Sequence, residues 1–247
     1  MAVFQGSIFS KALKMDTHVT VILPKEVTIH PMKALYLLHG YSDDCTSWQR
    51  KTRIEEYIKE TDIAVICPEV AHSFYLNMRY GQDYSDFIQH ELVSICENTF
   101  NLSSKSKDRY IAGLSMGGYG ALRTCLLDPK RYSGCGCFSG AIDLRSLLSQ
   151  NDEPSEEWTA VLGKDMTIED DQDVFLLLNK IQNKKITTSF YVTCGKQDFL
   201  FDSYKKWEEK TAGLRLNIIN ESWNGTHEWT FWDESIKRFL DKVVKEK

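Results

Sequence analysis

The chain has 247 residues, of which 42% are apolar and 26% are charged, and its formal net charge is −5. This length and composition are typical of a globular protein with a sizeable core, so we expect a single domain over residues 1–247. The acidic charge balance argues against a nucleic-acid partner, and the longest apolar runs are too short to span a bilayer.

Short apolar runs alternate with helical patterns along the chain. Residues 1–16 lack the continuous apolar core of a signal peptide and instead predict a first strand that begins the sheet. His18 to Leu23 is predicted to be an antiparallel edge strand ending at Pro24. The remaining predicted strands are at 33–39, 63–67, 109–113, 133–138, 187–194 and 214–219. The predicted helices are at 47–61, 83–99, 117–127 and 229–245.

Strands that alternate with helices predict an α/β fold, with a mostly parallel central sheet and helices on both faces. Residues 150–173 interrupt this alternation with an acidic, polar stretch. We expect this stretch to be a small insertion over the edge of the sheet. It is either a solvated acidic surface or a small lid near the active site.

The seven cysteines are irregularly spaced and include no C-x-x-C pair. Cys135 and Cys137 are two residues apart, which on a strand places both on one face as buried thiols. Disulfides or a zinc site are the alternatives, and neither has its usual spacing signal. Free thiols and the absence of a leader predict a cytoplasmic protein.

A candidate nucleophile lies between a predicted strand and a predicted helix. Residues 113–117 read G-L-S-M-G, which matches the G-x-S-x-G pattern with Ser115 at its centre. A turn this tight brings Gly113 and Gly117 close together, so both positions need small residues. The hydroxyl then lies at a helix N-terminus, where N–H groups favour developing negative charge. This setting indicates the nucleophile of an α/β-hydrolase rather than an ordinary N-cap serine.

A serine hydroxyl needs a general base, and in this fold the chain order is Ser, then Asp or Glu, then His. Of the six histidines only His227 follows Ser115, so it is the predicted base. The acid that orients the imidazole is expected just past the end of a strand, which is where Asp198 lies. Asp202 is the alternative, although its position favours the following helix.

The oxyanion formed during acyl transfer needs two hydrogen-bond donors. We predict the N–H of Met116, directly after the nucleophile, and the N–H of Tyr41, in the loop after the strand at 33–39. His39 precedes Ser115 in the chain, so it is interpreted as a residue that shapes this loop. Aromatic residues near the motifs are candidates for lining the substrate pocket, although such residues more often belong to a core: Tyr41, Trp48, Phe199 and Trp223.

Five segments together resemble the esterase family that contains esterase D, S-formylglutathione hydrolase and bacterial tributyrin esterases. They are LLHGYSDDCTSW at 37–48, MRYGQDYSDFIQHEL at 78–92, AGLSMGGYGAL at 112–122, CGKQDFL at 194–200 and GTHEWTFW at 225–232. The resemblance covers nearly the whole chain and is strongest to the tributyrin-esterase branch. It implies the triad Ser115, Asp198 and His227, with Tyr41 and Met116 as oxyanion donors. Typical S-formylglutathione hydrolases differ at 39–41, which argues against glutathione thioesters as the main substrate.

These observations favour a serine carboxylesterase that hydrolyses short-chain acyl esters, such as acetyl esters or acetylated sugars, through an acyl-enzyme. We expect it to need no metal and no organic cofactor. Its expected partner is a small-molecule ester, and formation of a homo-oligomer stays open. A thioesterase or acyltransferase is one alternative. A non-catalytic binding protein on a hydrolase fold is the other, and a missing triad member would favour it.

Overall fold

The structure is a computed structural model that describes residues 1–26, 29–149 and 155–244. A central sheet of eight strands runs through these residues. The strands are β1 (Ala2–Ser10), β2 (Met15–Leu23), β3 (Lys33–Leu38), β4 (Ile63–Pro68), β5 (Arg109–Leu114), β6 (Gly134–Phe138), β7 (Ser189–Gly195) and β8 (Asn217–Trp223). They lie in the order β1-β2-β4-β3-β5-β6-β7-β8.

Every pairing from β4 across to β8 is parallel. Both faces of these strands are buried, because neighbouring residues such as Tyr110 and Ile111 in β5 belong to apolar clusters on opposite sides of the sheet. The predicted mostly parallel sheet is therefore confirmed. The carboxyl ends of the parallel strands meet at one edge, and the loops that leave this edge build the site described below.

Helices cover both faces of the sheet. They are α1 (Ser47–Lys51), α2 (Ile54–Ile58), α3 (Tyr84–Asp86), α4 (Leu92–Thr99), α5 (Met116–Leu127), α6 (Leu144–Leu148), α7 (Glu156–Leu162), α8 (Val174–Ile181), α9 (Phe201–Thr211) and α10 (Trp229–Phe239). One apolar cluster takes buried residues from α4, α5, α8 and α9, and the other takes them from α1, α2 and α10. Among the described residues, the helices are all too short or too polar to cross a membrane.

The first two strands correct one prediction. The segment from His18 to Leu23 is antiparallel to its neighbours, as expected, but it is not an edge strand. It belongs to β2, which lies second in the sheet, between β1 and β4. A tight turn at residues 11–14 folds β1 back along β2, so β1 takes the outer edge.

Three helical or strand boundaries also differ from the prediction. The helical segment expected at 47–61 is split, because Thr52 is extended and its hydroxyl accepts the N–H of Ile54 at 3.2 Å, which starts a new helix. The helix expected at 83–99 contains a π-helical stretch at Phe87–Glu91 between α3 and α4. The last strand begins at Asn217 and runs on to Trp223, later than the segment expected.

The acidic insertion lies over the centre of the sheet, and its predicted position over the edge is wrong. Residues 150–154 are outside the described part of the chain. Backbone N–H groups of residues 79–80 donate to carbonyl groups of α7 at 3.0 and 2.9 Å. The hydroxyl of Tyr119 in α5 donates to the carbonyl of Gln172 at 2.8 Å. Since α5 follows the central strand β5, these bonds hold the insertion above the middle of the fold.

All seven cysteines are buried free thiols. Cys135 and Cys137 lie on β6 and contribute to the same apolar cluster, as their spacing predicts. Burial raises the pKa of the Cys137 and Cys194 thiols, and the nearby Asp198 carboxylate raises that of Cys194 further. Both thiols therefore stay protonated and unreactive at neutral pH.

Candidate active site

Ser115 forms a sharp turn between β5 and α5. Its backbone adopts φ 51° and ψ −117°, a conformation that non-glycine residues rarely take. A Cβ atom on Gly113 would lie 2.4 Å from the Gly117 carbonyl oxygen, and one on Gly117 would lie 2.5 Å from that of Leu38. The close approach expected of the two glycines is therefore present, and it places the serine at the first turn of α5.

His227 reaches Ser115 from the loop between β8 and α10. Its Nε2 atom lies 3.0 Å from the Ser115 hydroxyl oxygen, although 112 residues separate the two in sequence. This is the hydrogen-bond distance that a general base needs to take the hydroxyl proton. The structure thus brings together the nucleophile and the base that chain order singled out.

Asp198 completes a hydrogen-bonded series on the far side of the imidazole. Its two carboxylate oxygens lie 3.1 and 2.9 Å from His227 Nδ1, and its Oδ1 also accepts the N–H of Leu200 at 2.9 Å. The carboxylate is buried, so water does not compete with the imidazole for its oxygens. The alternative acid, Asp202, points away on α9, where its side chain is 92% exposed and pairs with Lys205.

Hydrogen bonds hold the loop that carries Asp198 against the loop that carries His227. The Gln197 N–H donates to the Gly225 carbonyl at 3.1 Å, and the Gly225 N–H donates to the Gln197 side-chain oxygen at 2.8 Å. The loops touch so closely that a Cβ atom on Gly195 would lie 2.3 Å from the Gly225 oxygen. Sequence reasoning missed Gln197, because an exposed glutamine in a loop has no pattern that marks it.

The two predicted oxyanion donors lie in suitable local settings. The Met116 N–H is at the first position of α5, and Tyr41 lies in the loop that follows β3. Within the described residues, neither N–H donates a hydrogen bond to a protein acceptor. Both are free to bind a substrate oxygen, so their assignment stays a prediction that the geometry permits.

His39 shapes the loop that carries Tyr41. Its Nδ1 lies 2.7 Å from the Gly40 carbonyl oxygen, and its Nε2 accepts the N–H of Val70 at 3.2 Å. The Tyr75 hydroxyl donates to the His39 carbonyl at 2.9 Å. The ring is fully buried and joins this loop to the one after β4, in keeping with the interpretation of His39 as a structural residue.

Two of the predicted pocket aromatics pack against other parts of the fold. Trp48 is 0% exposed, and its indole N–H donates to the Leu38 carbonyl beneath the sheet edge, so it is a core residue. Trp223 stacks on Phe231 at 4.3 Å, the Arg238 guanidinium lies 4.3 Å from its ring centre, and the residue is half-buried. The burial of Trp48 contradicts its predicted contact with substrate, whereas substrate contact by half-buried Trp223 stays a prediction.

Phe199 and Tyr41 do border the site. The Phe199 ring centre lies 4.6 Å from that of His227, and 62% of this phenylalanine is exposed. Tyr41 stacks on His72 at 4.1 Å and packs on Phe74 at 5.9 Å. Burial raises the pKa of the Tyr41 phenol, and the Glu157 carboxylate raises it further, so the phenol stays neutral.

The insertion reaches this aromatic group through Trp158 of α7. The Trp158 and Phe74 ring centres are 4.2 Å apart, and Phe74 in turn contacts Tyr41. A continuous set of rings therefore runs from the insertion to the loop that carries the second predicted oxyanion donor. This contact favours the lid interpretation of the insertion over that of a solvated surface.

Known proteins resemble this chain over almost its whole length. The family model described as "Putative esterase" matches residues 10–242. An acetyl esterase of Caldicellulosiruptor saccharolyticus is 30% identical over 263 aligned residues, which cover 99% of each protein. Two Staphylococcus aureus structures are each 32% identical over 98% of both chains. They are the substrate-bound fluorophosphonate-binding serine hydrolase FphF, at a TM-score of 0.89, and the S-formylglutathione hydrolase FrmB without ligand, at 0.88.

The resemblance to the esterase family is thereby confirmed. The matching region begins in β1 and ends in the last turn of the described chain, so it contains every element that shapes the site. The sheet order and the serine at its central turn agree with that assignment. This chain belongs to the esterase family and is a serine ester hydrolase with the α/β-hydrolase fold.

Proposed function

We propose that this carboxylesterase cleaves short-chain acyl esters through an acyl-enzyme formed on Ser115. The observation that carries the proposal is the hydrogen-bonded series from the Ser115 hydroxyl through His227 to the buried carboxylate of Asp198. A hydroxyl, an imidazole and a carboxylate arranged in this way are the parts that nucleophilic acyl transfer requires.

In the first half of the reaction, the Ser115 oxygen forms a bond to the ester carbonyl carbon while His227 Nε2 takes the hydroxyl proton. Asp198 keeps the other ring proton on Nδ1 and stabilises the imidazolium that results. The tetrahedral oxyanion accepts hydrogen bonds from the N–H groups of Met116 and Tyr41. The ester C–O bond then breaks, and His227 gives its proton to the departing alcohol.

In the second half, water takes the place of the alcohol. His227 removes a proton from the water as its oxygen attacks the acyl carbon, and the same two N–H groups bind the second oxyanion. Collapse of this intermediate releases the carboxylic acid and returns the proton to Ser115. Every proton transfer uses the single imidazole, so the cycle needs no metal and no organic cofactor.

The acyl group is proposed to be short, with acetyl esters and acetylated sugars as the substrate class. The acetyl esterase relative, 30% identical along almost the entire chain, supports this choice. The crowded set of rings at the oxyanion loop, in which Trp158 lies on Phe74 and Phe74 on Tyr41, also supports a limited acyl space. Phe199, exposed beside His227, is proposed to contact the substrate.

Thioester hydrolysis is a second candidate. It is favoured by the likeness to an S-formylglutathione hydrolase, FrmB, at 32% identity. A thioester reacts at the same carbonyl carbon and passes through the same oxyanion, so the residues proposed above would serve unchanged. The difference lies only in the leaving group, which would be a thiol.

A substrate panel with active-site labelling tests both candidates. The panel contains p-nitrophenyl esters from acetate to octanoate, acetylated sugars and S-formylglutathione. We expect kcat/KM to be highest for the shortest acyl groups, and a preference for S-formylglutathione would select the second candidate. A fluorophosphonate probe should label the wild type but not Ser115→Ala, which should also lose about 10⁴-fold or more in kcat. A folded wild type that stays unlabelled would contradict the mechanism and favour a binding protein.

The seven buried thiols suit a reducing compartment, and we place the enzyme in the cytoplasm on that basis. The proposed partner is the small-molecule ester itself. Residues of the parallel sheet and its loops supply the whole of the proposed site within one copy of the chain.

A further inference from the structure

One outer edge of the sheet is formed by a strand that lacks the usual protection of an edge strand. β1 spans Ala2–Ser10 and pairs on one side with β2, and no strand of the described residues pairs with its other side. Its sequence, AVFQGSIFS, contains no charged residue and no proline. Folded proteins normally protect a long edge strand with charges, proline or a bulge, because unpaired N–H and C=O groups bind other strands.

The opposite edge of the sheet has such protection. β8 carries Glu221, which forms ion pairs with Lys242 and Arg238 beside the strand. β1 instead exposes apolar rings, since Phe4 is 50% exposed and Phe9 is 61% exposed. The contrast between the two edges indicates that β1 has a partner.

The pattern of side chains along β1 identifies that partner. From Val3 to Phe9 the pattern of polar and apolar residues is symmetric about Gly6, because polar Gln5 and Ser7 flank the glycine and two apolar residues lie beyond each. In an antiparallel pair related by a two-fold axis at Gly6, the apolar residues on the two copies therefore fall opposite one another. The cross-strand pairs are Val3 with Phe9, Phe4 with Ile8, and Gln5 with Ser7.

We propose that β1 of a second copy of this chain adds to this edge, antiparallel and centred on Gly6, so that one sheet runs through both copies. Each pair of apolar side chains gains contact on its own face of the sheet, and the outward backbone groups gain partners. The absence of charge on β1 means that no like charges meet at the axis. A strand that is complementary to itself in this way fits the isologous contact of a two-fold dimer.

The proposed contact leaves the reaction site free. β1 is separated from β5 by three strands, and Ser115, His227 and Asp198 lie in loops beyond β5, β8 and β7. Esterase activity therefore serves as an independent check that every variant is folded. Failure of the dimer proposal would leave the proposed function untouched.

Disulfide trapping tests the register. A Cβ atom on Gly6 meets nothing within 4 Å, so Gly6→Cys fits without strain, and all seven native cysteines are buried. Opposite Cα atoms in an antiparallel pair are about 4.5 to 5.5 Å apart, within the range of a disulfide. We expect Gly6→Cys to form a covalent dimer under mild oxidation. Gln5→Cys and Ser7→Cys should cross-link when mixed but not alone, because identical residues are then diagonal, about 7 to 8 Å apart.

Sedimentation equilibrium tests the association itself. The wild type should show a reversible monomer–dimer equilibrium, and Phe4→Lys should weaken it by about tenfold, since a lysine then faces Ile8 at two symmetric places. Asp202→Lys is the control for the added lysine, because the Asp202 side chain is 92% exposed on α9, which follows β7 and so lies far along the sheet from β1. It should leave the equilibrium unchanged. A wild type that stays monomeric, an unaffected Phe4→Lys dimer, or a Gly6→Cys variant that does not cross-link would each overturn the proposal.

Discussion

Replacing Asp198 by asparagine should disable the base without disturbing the fold. Oδ1 of Asp198 accepts the N–H of Leu200 at 2.9 Å, while Oδ2 lies 2.9 Å from His227 Nδ1. In Asp198→Asn the amide oxygen must stay opposite Leu200, because only an oxygen can accept that N–H. The amide NH₂ group then faces Nδ1 and donates to it. The ring proton moves to Nε2, which can no longer accept the proton of Ser115.

The expected loss is about 10³- to 10⁴-fold in kcat, since a wrong tautomer leaves only binding and oxyanion stabilisation. This corresponds to about 4 to 5.5 kcal/mol of transition-state stabilisation. Steady-state hydrolysis of p-nitrophenyl acetate measures kcat and KM separately, and KM should change little. Asp202→Asn is the matched control, because that carboxylate is 92% exposed and pairs with Lys205 at the surface. An Asp198→Asn enzyme that keeps a tenth of its activity, or an equal loss in the control, would refute the reasoning.

Three further predictions concern a core tryptophan, the insertion and the buried thiols. Trp48→Ala should lower the free energy of unfolding by about 3 to 5 kcal/mol, measured by urea denaturation, because the indole is fully buried. An altered KM in its folded fraction would contradict the placement of Trp48 in the core. Trp158→Ala should lower kcat by about tenfold, because it loosens the ring contacts that support Tyr41. This loss is smaller than that expected from removing an oxyanion donor. Trp158→Phe should keep most of the activity, and equal losses of kcat in the two variants would count against this role. Iodoacetamide should modify none of the seven buried thiols in the native protein, as intact mass measures, while the unfolded protein is labelled fully. Rapid labelling of a native thiol would show that burial is incomplete.

The parts of the site that follow from local backbone chemistry could be predicted from the sequence. Gly113 and Gly117 mark a turn that only small residues permit, and the structure shows the approach of 2.4 Å that makes this so. His227 could be singled out because it is the sole histidine after Ser115. Asp198 could be predicted because it directly follows a strand, and the end of that strand fixes how far the side chain lies beyond the carboxyl edge of the sheet.

What depends on contacts between distant segments could not be predicted. Trp48 and Phe199 are both aromatic residues close to a motif, yet one is buried under the sheet edge and the other is exposed beside His227. The helix that carries Trp48 has five residues, too few for a periodic pattern to show which side faces inward. The insertion was misplaced for the same reason, because it is held by bonds from residues 79–80, far away in sequence.

The backbone of Ser115 has a consequence for how this enzyme can evolve. Holding a side chain at φ 51° and ψ −117° costs about 1 to 3 kcal/mol, a penalty that glycine would not incur. Ser115→Gly would therefore give a more stable protein that has no nucleophile. Selection for thermal stability alone would favour glycine at this position and so an inactive enzyme. Selection for catalytic activity is what retains the serine.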